Sequence, residues 1–221
     1  MPRVRLVLLT ASTVLFFLAV FAGGLALPLY VTRGLGLPDE VVGTLFASCA
    51  VVEILAALAV VALPSRLSGR GLLAGGILAL AVHFALTAAA DGVVLLLIAQ
   101  VPRGVAIAVL AAAGVRFFQE TLAPSTGFAT TLFSASADGG FLLSGVLGGI
   151  AVDAWGYRPA LLGCGVVAVL ALGAFLGSHD ERRLRHQPRP CPRATHRRRR
   201  VDRQHPDRCR RVPPRGPTGR P

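Results

Sequence analysis

Six nearly unbroken apolar runs constrain this chain more than any other feature: Leu6 to Thr32, Val41 to Leu63, Leu72 to Ala90, Val93 to Val115, Thr126 to Val152 and Pro159 to Ser178. A helix needs about 20 residues to cross a hydrocarbon layer of about 30 Å, since each residue rises about 1.5 Å. Each run is long enough to cross. The segments between them, Arg33 to Glu40, Pro64 to Gly71, Asp91-Gly92, Arg116 to Ser125 and Asp153 to Arg158, are short and hold turn formers and charges, leaving no room for a soluble domain. A membrane barrel would need alternating segments of about ten residues, whereas these runs are apolar on every face, so helices are the spanning structure they permit. The expected fold is an all-α integral membrane protein with a six-helix transmembrane bundle over residues 1–180.

Composition agrees, with 53% hydrophobic and 15% charged residues, where soluble domains carry about 25% charged. The first run exceeds the h-region of a cleavable signal peptide and is followed by five more, so it is expected to stay in the membrane. Cys49 and Cys164 lie inside apolar runs, where a thiol acts as a small hydrophobe, and the four cysteines form no disulfide framework. Charge is segregated. Residues 1–180 hold eight Arg and eight acids, whereas residues 181–221 hold 15 Arg and three acids, which is the whole net charge of +12. If the N-terminus is cytoplasmic, the inner side carries Arg3, Arg5, Arg66, Arg70 and Arg116, and the outer side Arg33 and Arg158. Cytoplasmic loops collect Arg, so both termini are expected inside.

Glu53, Arg103 and Asp138 lie deep in the second, fourth and fifth runs. A charge at mid-membrane costs at least ~2.5 kcal/mol, so each is expected to face the bundle interior or a water-filled cavity. Gln100 lies one turn before Arg103, Ser134 lies four residues before Asp138, and Thr130 and Thr131 extend that polar lining by a turn. Such groups donate and accept hydrogen bonds in the way sugar hydroxyls require. A carboxylate desolvated in the membrane can also carry a proton, which makes Glu53 or Asp138 a candidate coupling group. The alternative is a structural network in which Glu53 or Asp138 pairs with Arg103 to hold helices in register. His83 reads as a hydrogen-bonded packing residue. Small residues in Gly140-x-x-x-Ser144-x-x-x-Gly148 and Gly145-x-x-x-Gly149 predict close helix packing. Gly23, Gly24 and Pro28 predict a kink near the outer end of the first helix, as a gate hinge or a fixed bend.

Enzyme readings fail on inventory. An intramembrane aspartyl protease needs a second carboxylate facing Asp138, and a serine protease needs a strained Gly-x-Ser-x-Gly turn with a histidine base; neither is present. There is no phosphate-binding Gly-rich loop and no helical zinc pair, and Cys191, His196, His205 and Cys209 fall outside finger spacings, so no cofactor or metal is expected.

Several pieces, in order, carry a resemblance: Leu27-Pro28-Leu29-Tyr30, Glu53-Ile54, Gln100, Phe117-Phe118-Gln119-Glu120, Ala129-Thr130-Thr131-Leu132 and Trp155-Gly156. With them, the chain from about Leu6 to Ser178 resembles the C-terminal half, helices seven to twelve, of the bacterial sugar efflux transporters of the major facilitator superfamily. The resemblance implies export of sugars or glycosides across the bacterial cytoplasmic membrane, by alternating access and proton antiport, at a site between two six-helix halves. Asp138 and the Pro102-Arg103 pair depart from that family's pattern, while Glu53 and Gln100 fit it. The resemblance further implies that the chain is half a transporter, inactive alone, whose partner is an N-terminal six-helix half or a second copy. A non-transporting structural or regulatory membrane fragment is the alternative.

From about Glu181 onward apolar periodicity ends, and Arg and Pro dominate. This segment is expected to be a disordered, basic, cytoplasmic tail. Arg197 to Arg200 would attract anionic lipid or nucleic acid, although the aromatics that stack on bases are absent, so nucleic-acid binding is a minor reading. Arg, Pro, His and Cys without any Lys also fit a GC-rich sequence translated out of frame, the product of a truncated, frameshifted gene.

Overall fold

A computed structural model describes residues 3–62 and 69–185, with side chains up to Ser178. Residues 181–185, expected at the start of the disordered tail, are helical as the end of the last helix, while Arg66 and the rest of the basic tail, with the lipid, nucleic-acid and frameshift readings attached to it, lie outside the described residues. The described chain is helical: α1 (Arg3–Leu29), α2 (Asp39–Ala62), α3 (Gly69–Ala88), α4 (Val93–Val109), α5 (Val115–Thr121), α6 (Thr126–Trp155) and α7 (Tyr157–Arg185). The fourth apolar run does not stop at Val115. A π-helical turn at Leu110–Gly114 joins α4 to α5, so one span extends from Val93 to Thr121. Its last turns are polar, with Arg116 Nε donating to Glu120 Oε1 at 2.8 Å on an exposed face. The six resulting spans are long and apolar enough to cross a membrane.

Local chemistry sets the ends of the helices. Asp39 and Glu40 occupy the first turn of α2, where carboxylates complement the partial positive charge of a helix N-terminus. Gly36 has φ +66° and Gly156 has φ +83°, backbone states that favour glycine, and Gly156 is the only residue between α6 and α7. Pro28 lies inside the first helix, next to its last residue. The chain remains helical through Gly23 and Gly24, and the donor lost at Pro28 is followed by a π-helical turn at Tyr30–Gly34, with Leu35 N–H donating to the Tyr30 carbonyl at 2.9 Å.

The helices pack as a series. α2 lies on α4, α4 on α3, α3 on α7, α7 on α1, and α1 on α6. The core between them is built from large side chains such as Phe16, Leu27, Tyr30, Leu80, Phe84 and Leu96. Two contacts set the spacing of this series. A Cβ on Gly104 would lie 2.8 Å from the Cys49 carbonyl oxygen, so α4 approaches the backbone of α2 there. A Cβ on Gly140 would lie 2.8 Å from the Val14 carbonyl oxygen and 2.9 Å from the Leu18 nitrogen, so α6 is equally close to α1. Small residues allow such approaches between membrane helices. The companion pair Gly145 and Gly149 behaves otherwise, with nothing within 4 Å of a Cβ at either position, so that motif does not pack inside this bundle. The two helices at the ends of the series are the least covered: 11% of the most apolar stretch of α2 and 17% of that of α6 are buried, against 33–50% for the other spans.

Candidate functional site

The polar residues within the membrane divide into two groups. The first is buried between α1, α2, α3 and α4. Pro102-Arg103-Gly104 brings the Gly104 backbone against Cys49 and Val52 of α2, and this contact fixes Arg103 beside the face of α2 formed by Phe46, Cys49 and Glu53, which are spaced three and four residues apart. Arg103 is 7% exposed and Gln100 is fully buried. Gln100 Nε2 donates to the Leu96 carbonyl at 3.1 Å, while its Oε1 accepts a long 3.4 Å bond from Arg103 Nη1. The guanidinium lies over the Phe46 ring, 5.0 Å from its centroid, an arrangement in which the ring face attracts the cation. Glu53 is half-buried and its charge acts on Arg103, yet the ion pairs among the described residues do not join them. His83 Nδ1 lies 2.8 Å from the Ala99 carbonyl oxygen, tying α3 to α4 as a packing residue.

The second group does not face the interior of this six-helix bundle, which leaves the other expectation, a water-filled cavity. Thr131, Ser134 and Asp138 are exposed on α6, so Asp138 cannot hold Arg103 in register across the core. The reason is the Gly140 contact, which commits one face of α6, with Ala129, Phe133, Ser136 and Ser144, to α1 and turns the Thr131–Asp138 side outward. Thr131 Oγ1 donates to the Gly127 carbonyl at 3.1 Å. Thr130, also exposed, donates to the Thr126 carbonyl at 3.1 Å and accepts from Gln119 Nε2 at 3.0 Å, which links α5 to α6.

The sequence reading missed Phe46 and Cys49 as neighbours of Arg103, although their spacing from Glu53 was available. It also missed a polar clamp at the end of the bundle where α3 turns into α4. Tyr30 O–H donates to the Ala90 carbonyl at 2.6 Å, Arg158 Nε donates to Tyr30 Oη at 3.0 Å, and Arg158 also pairs with Asp91. Three distant segments meet there, and no sequence spacing encodes that meeting.

A cavity of about 20 Å³ lies between Ser12, Thr13, Ile77, Gly114, Phe118 and Phe175. It has the size of one water molecule and cannot admit a sugar. Among the described residues no group of three or more His, Cys, Asp or Glu could hold a metal ion.

Comparison with known proteins places this arrangement. A Deinococcus radiodurans protein named as a sugar efflux transporter is 36% identical over 167 residues, which cover 75% of this chain and 43% of that protein. Sugar efflux transporter A of Dickeya chrysanthemi is 32% identical over 62% of this chain and 35% of its own length, and sugar efflux transporter A of Escherichia coli is 29% identical over 66% and 37%. The matched region thus spans less than half the length of these relatives. No solved structure gives a significant match. The family model described as Major Facilitator Superfamily matches residues 9–205. With six membrane-spanning helices and most of its length matched, this chain belongs to the Major Facilitator Superfamily, a family of membrane transporters and not of enzymes.

Proposed function

We propose that the chain forms the C-terminal six-helix half of a transporter that exports sugars or glycosides by proton antiport, with both termini in the cytoplasm. One observation carries the reading. Asp138 is exposed on α6, about 18 Å from its first residue at ~1.5 Å per residue, with Ser134 and Thr131 on the same uncovered side. A carboxylate at that depth cannot face lipid without a cost of at least ~2.5 kcal/mol, so this side requires water or a second protein surface. α2, the other poorly covered helix, presents Glu53 half-buried. A second six-helix body, preceding this one in a longer chain or supplied by another copy, would close a polar cavity over α2 and α6. In that cavity Gln100, Arg103, Thr131 and Ser134 bind sugar hydroxyls, while Glu53 and Asp138 exchange protons. The names of the relatives supply the solute class.

The test is efflux of a labelled glycoside from energised membrane vesicles holding either the chain alone or the chain with an N-terminal six-helix half. Export is expected only when the second half is present. Absence of export from both preparations, with both proteins folded, would leave the chain as a non-transporting membrane fragment.

A further inference from the structure

Among the described residues, Arg103 is a buried cation that forms no ion pair. Its position ten residues into α4 places it about 15 Å from that end of the helix at ~1.5 Å per residue, too deep for a lipid headgroup to reach. A guanidinium offers five N–H donors. At Arg103 these meet Gln100 Oε1 at 3.4 Å and the Phe46 ring. Gly24 on α1, Phe46 on α2 and Gln100 on α4 touch it, and Cys49 and Glu53 on α2 and His83 on α3 interact with it through longer-range electrostatics. Glu53 is the one carboxylate in this set, and it forms no ion pair with Arg103. A buried guanidinium whose donors meet one long hydrogen bond and a ring face, with no direct ion pair, has donors left for an anionic ligand.

Gly24 and Glu53 are partly exposed, Phe46 is 37% exposed, and a Cβ at Gly24 would lie 3.4 Å from Arg103 Nη2. The guanidinium therefore extends from α4 to the α1 backbone at Gly24, where no side chain covers it. Planar two-pronged recognition of a carboxylate or phosphate is what a guanidinium does best. We infer that the solute carries an anionic group, a carboxylate or a phosphate on a sugar, and that Arg103 binds it with Gln100 alongside. This inference rests on the sugar-transport reading above and names the substrate class of the same site.

The chain co-assembled with an N-terminal six-helix half in lipid nanodiscs is titrated calorimetrically with methyl β-D-glucuronide, glucose 6-phosphate and methyl β-D-glucoside. At least one of the two acidic sugars is expected to bind ten times or more tighter than the neutral glucoside. R103Q should reduce the acidic sugar to the level of the glucoside with helix content unchanged, R103K should lose part of the preference because it keeps the charge without the fork, and E53Q should retain the preference. Which acid binds separates the carboxylate from the phosphate. If the wild-type chain binds the glucoside as tightly as both acids, or the acid preference survives in R103Q, the inference is overturned and the sugar reading stands. If the assembled complex binds none of the three, both fall. The wild-type ratio decides the matter even if R103Q fails to fold.

Discussion

Gly140→Ala and Gly145→Ala make the same chemical change on the same helix, and the packing of α6 gives them opposite expected effects. At Gly140 the new methyl would lie 2.7 Å from Phe17 Cβ, 2.8 Å from the Val14 carbonyl oxygen and 2.9 Å from the Leu18 nitrogen. Two of these neighbours are backbone atoms of α1 and cannot rotate away. α6 must therefore move outward, loosening the aromatic contacts along the interface, Phe17 with Phe133 at 5.8 Å and Phe21 with Phe141 at 5.1 Å between centroids. Overpacking of this kind costs about 1–3 kcal/mol. Alanine returns up to ~1 kcal/mol through its better helix propensity, so the net loss expected is about 1–2 kcal/mol. At Gly145 nothing lies within 4 Å, and the propensity gain stands alone, between zero and ~1 kcal/mol. Denaturant unfolding of the purified chain in mixed micelles, followed by helical circular dichroism, measures both. Equal destabilisation by the two substitutions, or a neutral Gly140→Ala, would refute the assignment of α6's faces and with it the outward placement of Asp138.

Tyr30→Phe removes the buried 2.6 Å hydrogen bond to the Ala90 carbonyl and one acceptor for Arg158, so the same unfolding assay should show a loss of about 1 kcal/mol. In a chain freed of its native cysteines, a cysteine at Gly92 should react with an impermeant thiol reagent added outside intact cells and one at Gly69 should not; the opposite pattern would mean that the termini lie outside. In the assembled, transporting complex, Glu53→Gln should abolish the dependence of export on the pH gradient while the protein stays folded, because Gln keeps the size and hydrogen bonding but cannot titrate. Export measured against imposed gradients checks this, and wild-type pH dependence in the mutant would move the proton role to Asp138 or out of the chain.

The spans could be read from the sequence because a backbone in lipid must satisfy its own hydrogen bonds, so a long apolar run has no choice but helix. The number and order of the runs, the turn residues Gly36, Pro38 and Gly156, and the rarity of charge inside the runs survive into the structure. The extension of the fourth span through Thr121 was harder to see, since Arg116, Gln119 and Glu120 read as loop residues in isolation. They are helical because the α4 axis continues through a π-helical turn, which places Gln119 beside Thr130.

The chain on its own determined that Glu53, Gln100, Arg103 and Asp138 are expensive and must be accommodated, because composition and depth along a helix fix that cost. It did not determine where each points. A helix that is apolar on every side has no periodic stripe to mark its inner face, so rotation about its axis is set by steric fit with neighbours distant in sequence. Gly104 against Cys49 turns Arg103 and Gln100 into the bundle beside Phe46, and Gly140 against Val14 and Leu18 turns Asp138 out of it. Tyr30, Asp91 and Arg158 likewise become a clamp only when α1, the α3–α4 turn and α7 are brought together. Tertiary structure decided these points because they depend on contacts between surfaces, which no single helix contains.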